Sequence, residues 1–135
     1  MLLRVRKLPG ECEIGPILIE VKVRNRDSNE AFSANFLVDT GSTDSVIPAR
    51  ELKRIGIEPT GKKIYEVATG ELQQFDVAYA EVSFLDKALI SRVIFGSDTA
   101  EPILGATALY SMGIEVDPVN QTLKKVGLSL KYWPE

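Results

Sequence analysis

"FLVDTGSTDSVIP", residues 36–48, carries three apolar residues into Asp39-Thr40-Gly41-Ser42 and then returns to the apolar Val46-Ile47-Pro48. Asp, Gly and Ser are common turn residues, so a turn is the first reading. An ordinary surface turn, however, has no need to lie between two apolar strand segments. A carboxylate held where a buried strand ends is what acid–base chemistry requires. Gly41 has no Cβ, so the backbone can approach a partner closely and aim its N–H at the carboxylate. The Thr40 and Ser42 hydroxyls can fix the loop and stabilise an ionised Asp39. Three residues of such a pattern recur by chance, and the surrounding chain has to decide.

The 135 residues fit one domain, 1–135, and leave little room for two. At 44% hydrophobic and 26% charged residues, the chain can bury an ordinary core. A net charge of −3 offers no clustered basic face, so no nucleic-acid partner is expected. The chain contains no histidine. That removes Ser-His-Asp and Cys-His catalysis, imidazole metal ligation and the usual near-neutral proton shuttle. The single cysteine, Cys12, can neither close an internal disulfide nor supply a thiolate cluster. A metal-free hydrolase built from this composition must use carboxylates as its acid and base, and no cofactor is expected. "MLLRVRKLPGECE" alternates apolar and cationic residues, which is not a signal-peptide pattern. No apolar run nears the roughly 18 residues that span a bilayer. The expectation is a cytoplasmic protein without a membrane partner.

Period-two alternation dominates the chain and predicts strands. "LLRVRKL" (2–8) alternates, and in "PILIEVKVRN" (16–25) Ile17, Ile19, Val21 and Val23 share one face. A polar turn leads to a strand over 32–38 that ends at Asp39. "PARELKRIGI" (48–57) reads as a helix with Pro48 in its first turn and Gly56 at its C-cap. Residues 62–85 read as a long hairpin turning at Thr69-Gly70, and 87–96 as a further strand. "ILGATALYSMG" (103–113) passes from a buried apolar run into a short helix capped by Gly113, and closing strands follow. Two apolar residues, then Asp or Gly, then a short helix occur twice, near 37–55 and near 103–112. The pattern predicts an all-β, closed barrel-like fold with one or two short helices.

With these segments in order, "FLVDTGSTDSVIP" resembles the active-site loop of the retropepsin-like aspartic proteases. "EPILGATALYSMGIEVDP" is similar to that family's second signature, an apolar pair and glycine followed by a helix. "YEVATGELQQFDVAYAEV" stands where the family has its flap, a mobile hairpin that closes over substrate. The three motifs keep the family's order and spacing across residues 16 to about 126. The resemblance implies an aspartic endopeptidase with a peptide or protein substrate. Because the chain has one Asp-Thr-Gly, it also implies a homodimer in which Asp39 of each chain completes the site. It makes Asp39, Thr40 and Gly41 the catalytic residues, with Thr40 locking the two loops together. Substrate contacts fall to Ser42, to Ala68, Thr69 and Gly70 at the flap tip, and to Gly105. A Ser42 hydroxyl bonded to the carboxylate would shift activity toward acid.

Two departures stand out. Viral members pair an acidic residue two after the motif glycine with an Arg after the second glycine; here those places are Thr43 and Ala106, so apolar or hydroxyl-mediated packing is expected there. "MLLRVRKL" and "SLKYWPE" could interleave as dimer strands or form a local core. Asp76, Glu81 and Asp86 alternate as solvated strand faces do and are not expected to hold a metal. The rival readings are a catalytically silent member of the same fold, used for dimerisation or peptide binding, and an unrelated β-barrel interaction module.

Overall fold

A computed structural model describes residues 16–117 and 119–128. The alternating stretch at 16–25 forms β1 (Leu18–Arg24), which pairs antiparallel with β2 (Ala31–Val38). Val21 and Val23 point into the core and are fully buried, as the period-two pattern requires. Between the strands, the Asn25 side chain accepts from the Asp27 N–H at 2.9 Å, an Asx turn that closes the connection.

After β3 (Ser45–Pro48) comes α1 (Ala49–Arg54), whose Leu52 is fully buried. Pro48 was expected inside the first helical turn. It ends β3 instead, with an extended ψ of 130°, and the helix begins one residue later. Gly56 follows the helix with φ +82°. Asn25 reaches across to donate to the Ile55 carbonyl at 2.8 Å, tying the first hairpin to the helix C-terminus.

The predicted long hairpin is β4 (Gly61–Glu66) and β5 (Leu72–Phe84). β5 is long enough to serve three neighbours: its first half pairs with β4, and its second half pairs with β6 (Lys87–Gly96) and with β1. β7 (Ile103–Leu104), α2 (Ala106–Ser111), β8 (Ile114–Asp117) and β9 (Thr122–Lys125) follow. The main sheet runs β1-β2-β7-β3-β6-β5-β4, and β1 also pairs with β5, so six strands close into a ring and β4 extends from it. Arg24 bridges the closure with two hydrogen bonds to Glu81, at 3.0 and 2.8 Å. The ring encloses Val21, Val23, Phe36, Ile47, Val82, Val93 and Leu104, with Leu52 and Ile55 packed on it. This is the all-β, ring-closed architecture with two short helices that the alternation predicts.

The two occurrences of the apolar-pair pattern, near 37–55 and near 103–112, meet in this ring. Leu37-Val38 and Ile103-Leu104 pair in parallel, and the Asp39 N–H donates to the Leu104 carbonyl at 3.0 Å. The expected strand at 2–8, Cys12 and the terminal stretches "MLLRVRKL" and "SLKYWPE" lie outside the described residues. Among the described residues no helix is long and apolar enough to cross a membrane.

The β5–β6 turn yields a stability prediction. Leu85 and Asp86 connect Phe84 to Lys87 with φ of 51° and 64°, the two left-handed positions of a type I′ turn. A leucine is costly there, because its side chain crowds the backbone in that region. Leu85 is largely solvent-facing, so replacing it removes little core. Leu85→Asn is expected to raise unfolding free energy by about 0.5–1 kcal/mol in urea denaturation. An unchanged or lower midpoint would contradict this turn assignment.

Candidate active site

The 36–48 stretch is both a turn and a carboxylate holder. The Ser42 N–H donates to the Asp39 carbonyl at 3.2 Å, which closes the turn. The Gly41 N–H donates to Asp39 Oδ1 at 2.8 Å. Asp39 is fully buried at the end of β2, and among the described residues no group reaches its second oxygen, Oδ2. Buried polar atoms are rarely left in this state. Burial pushes the Asp39 carboxyl above the ordinary carboxylate range, and the Gly41 N–H only partly opposes it.

The second signature braces this loop from below. Gly105 is buried, and its N–H donates to Ser45 Oγ at 3.0 Å. The Ala106 and Thr107 N–H groups at the start of α2 donate to the Ser42 and Thr43 carbonyls at 2.7 and 2.8 Å. At the Thr43 and Ala106 places, then, main-chain bonds and the Ser45 hydroxyl supply the contact. A Cβ on Gly105 would lie 2.5 Å from the Asp44 carbonyl carbon, so only glycine permits this approach.

The expected bond from Ser42 to the Asp39 carboxyl is not made. Its hydroxyl donates to the Asp44 carbonyl at 2.7 Å. One acceptor lies three residues before Ser42 and the other two residues after it, and the turn geometry selects the later one. The basis for an acid-ward shift is therefore absent, and burial acts in the opposite direction.

A cleft of about 750 Å³ lies between the loop, the β4–β5 hairpin and the 97–103 segment. Gly41, Ser42 and Thr43 line it from the loop, Tyr65, Val67, Ala68 and Phe75 from the hairpin, and Ile94, Ala100 and Ile103 from the far side. Of the candidate substrate-contact residues, Ser42 and Ala68 line the cleft; Thr69, Gly70 and Gly105 do not. Gly70 shapes the hairpin turn with φ +88°, its N–H donating to the Val67 carbonyl at 2.8 Å. Thr40 is exposed beside the loop, and Asp39 itself does not line the cleft.

One cluster was not anticipated. Asp44, within the quoted stretch, is a buried carboxylate. Its Oδ2 accepts from the Tyr65 hydroxyl at 2.6 Å and from Arg92 Nη1 at 3.4 Å. A buried acid thus does occur in this loop, one residue after the Thr43 place, and its cation comes from β6. Its position in an otherwise apolar and hydroxyl-rich run was a usable signal; its partners, far away in sequence, carried none. Asp76 and Glu81, set aside as metal ligands, pair with Lys62 at 3.0 Å and with Arg24.

Titration of Asp39 has a measurable consequence for the dilute chain. Its folded value lies above the ordinary 3.8, so over that window the folded state binds the proton more tightly than the unfolded state does. The stabilising contribution is complete below the unfolded value and is lost as pH rises through the folded one. Asp39→Asn does not titrate. The Tm difference between variant and wild type should therefore move in the variant's favour as pH rises through this window. A difference that stays flat, or moves the other way, contradicts the burial effect.

A ring-closed sheet with one Asp-Thr-Gly loop, braced by a glycine-helix signature and facing a hairpin across a cleft, defines the retropepsin-like class. Residues 27–111, more than half of the chain, match the family described as "gag-polyprotein putative aspartyl protease". The chain belongs to this retroviral-type aspartyl protease family. No curated protein matches it significantly. The solution structure of Simian Foamy Virus (mac) protease aligns over 68% of this chain and 90% of that one, at 16% identity and a TM-score of 0.49.

Proposed function

We propose that the protein is an aspartic endopeptidase that works as a homodimer, with one Asp39 from each chain forming the catalytic pair. The observation that carries this reading is Asp39 Oδ2, a buried carboxyl oxygen that no described residue satisfies, on a loop tied to the start of α2 by main-chain hydrogen bonds. A second carboxyl at hydrogen-bonding distance, sharing one proton with the first, satisfies both. The absence of histidine and the family membership support the same chemistry. Thr40, the next residue in the chain, is exposed.

In this reading the unprotonated Asp39 takes a proton from water as its oxygen attacks the scissile carbonyl carbon. The protonated Asp39 gives its proton to the carbonyl oxygen, forming a tetrahedral diol. Collapse of the diol breaks the C–N bond, and a proton passes to the leaving amine. The pair titrates as one unit, so its two steps belong to neither chain alone.

The test is cleavage of a peptide library by the wild-type chain between pH 3 and 8, with a statine-type transition-state mimic as inhibitor. Cleavage that the mimic blocks supports the enzyme. Failure to cut any peptide over that range favours the silent, peptide-binding form of the fold.

A further inference from the structure

We infer that Tyr65 and Asp44 form a latch that holds the flap hairpin closed over the cleft, an inference that rests on the protease reading for its role in turnover. The latch starts from alternation in β4 and β5. Tyr65 and Val67, with Gln73 and Phe75 across the ladder, all line the cleft. Tyr65 packs edge-on to Phe75, with ring centres 6.0 Å apart, which fixes the direction of its hydroxyl. That hydroxyl meets Asp44 Oδ2 at 2.6 Å, a short bond to a buried carboxylate. Among the described residues it is the only hydrogen bond from residues 61–76 to the 39–48 loop. Burial and the Asp44 contact push the Tyr65 hydroxyl up to about 12, so it remains a donor throughout the working range.

The second donor to Asp44 gives the latch a way to open. Arg92 belongs to β6, in the closed ring and outside the hairpin. Its Nη2 donates to the Tyr79 hydroxyl at 3.2 Å, and its guanidinium lies over the Tyr79 ring at 5.7 Å. Its Nη1 contact to Asp44 is long, at 3.4 Å, and its Nε is buried with no partner among the described residues. When Tyr65 lifts away, Arg92 can shorten that contact and keep Asp44 paired. Opening the hairpin therefore breaks the Tyr65 bond to Asp44, together with Tyr65's contact to Arg92, and does not strand a buried charge, which would be far more costly. Asp44 and Tyr65 are positioning residues: they set the balance between closed and open cleft and do not touch the reacting atoms.

Hydrogen exchange on the full chain, comparing wild type with Tyr65→Phe and Tyr79→Phe, tests this. Tyr65→Phe keeps the ring and its packing and removes only the latch bond. It is expected to speed exchange across 61–72 by about tenfold or more, the worth of one bond to a charged group, and to leave 18–38 unchanged. Tyr79→Phe removes a bond of the same cluster that does not reach the hairpin, and exchange across 61–72 should stay at the wild-type rate. With a cleaved peptide, Tyr65→Phe should raise KM while kcat holds within about twofold. Wild-type exchange in Tyr65→Phe, or equal acceleration in both variants, would overturn the latch. Exchange does not depend on cleavage: a chain that exchanges as expected but cuts no peptide keeps the latch and loses the protease reading.

Discussion

Asp39→Asn is expected to lower kcat/KM by a thousandfold or more, on the order of what a positioned acid–base pair contributes, while the fold survives. The amide is close in shape to the carboxyl and can still accept the Gly41 N–H through its oxygen, so the 2.8 Å bond that closes the loop remains. What is lost is proton transfer. An amide neither takes a proton from water nor supplies one to the carbonyl, and in a homodimer both positions change together. The composition offers no substitute, because the chain has no histidine. Circular dichroism matching the wild type, together with lost cleavage, is the expected pair of results. Cleavage retained within about tenfold would remove Asp39 from the chemistry.

Gly105→Ala should have the second-largest effect, and for a different reason. Gly105 has an ordinary φ of −89°, so the added methyl meets no backbone strain. The obstacle is space: its Cβ would lie 2.5, 2.6 and 2.9 Å from Asp44 C, Asp44 O and Ser45 N. These are main-chain atoms of the loop that carries Asp39, and they cannot rotate aside. Either α2 or the loop must shift, breaking the bonds from Gly105, Ala106 and Thr107 that brace it. Overpacking of this kind costs about 3 kcal/mol. A shift of about 1 Å in a catalytic group costs on the order of a hundredfold in rate. Both losses should appear together, in urea denaturation and in kcat/KM. Gly127→Ala, where an added Cβ meets nothing within 4 Å, should change neither. A Gly105→Ala chain as stable and active as wild type would contradict the bracing role.

These two sites also show how much the sequence revealed. Asp39 was legible because its context is local: an apolar strand, Asp-Thr-Gly, and an apolar return. Gly105 was legible as half of a repeated pattern, and the pairing of Leu37-Val38 with Ile103-Leu104 gives that repeat its physical meaning. Alternation likewise located β1, β2 and β6, because a strand buried on one face writes its period into the chain. The start of α1 was misplaced by one residue because proline suits both a strand end and a first helical turn. The Ser42 bond was misassigned because a hydroxyl with two nearby acceptors is settled by backbone geometry, not by residue type. The Asp44–Tyr65–Arg92 cluster joins three elements separated by 21 and 48 positions, and no local pattern records such a meeting. Closure of the ring through β1 and β5 is non-local in the same way.

Under the proposed mechanism one catalytic site needs two chains. Mixing measures it directly: wild-type protein is held at fixed concentration, fully assembled, while Asp39→Asn chain is added and allowed to exchange. Each wild-type chain then finds a wild-type partner less often, and an equal amount of variant should cut the cleavage rate to about half. Further variant should lower it in proportion to the wild-type fraction. A rate that stays constant as the variant is added would mean that each chain carries a complete site, and would contradict the shared Asp39 pair.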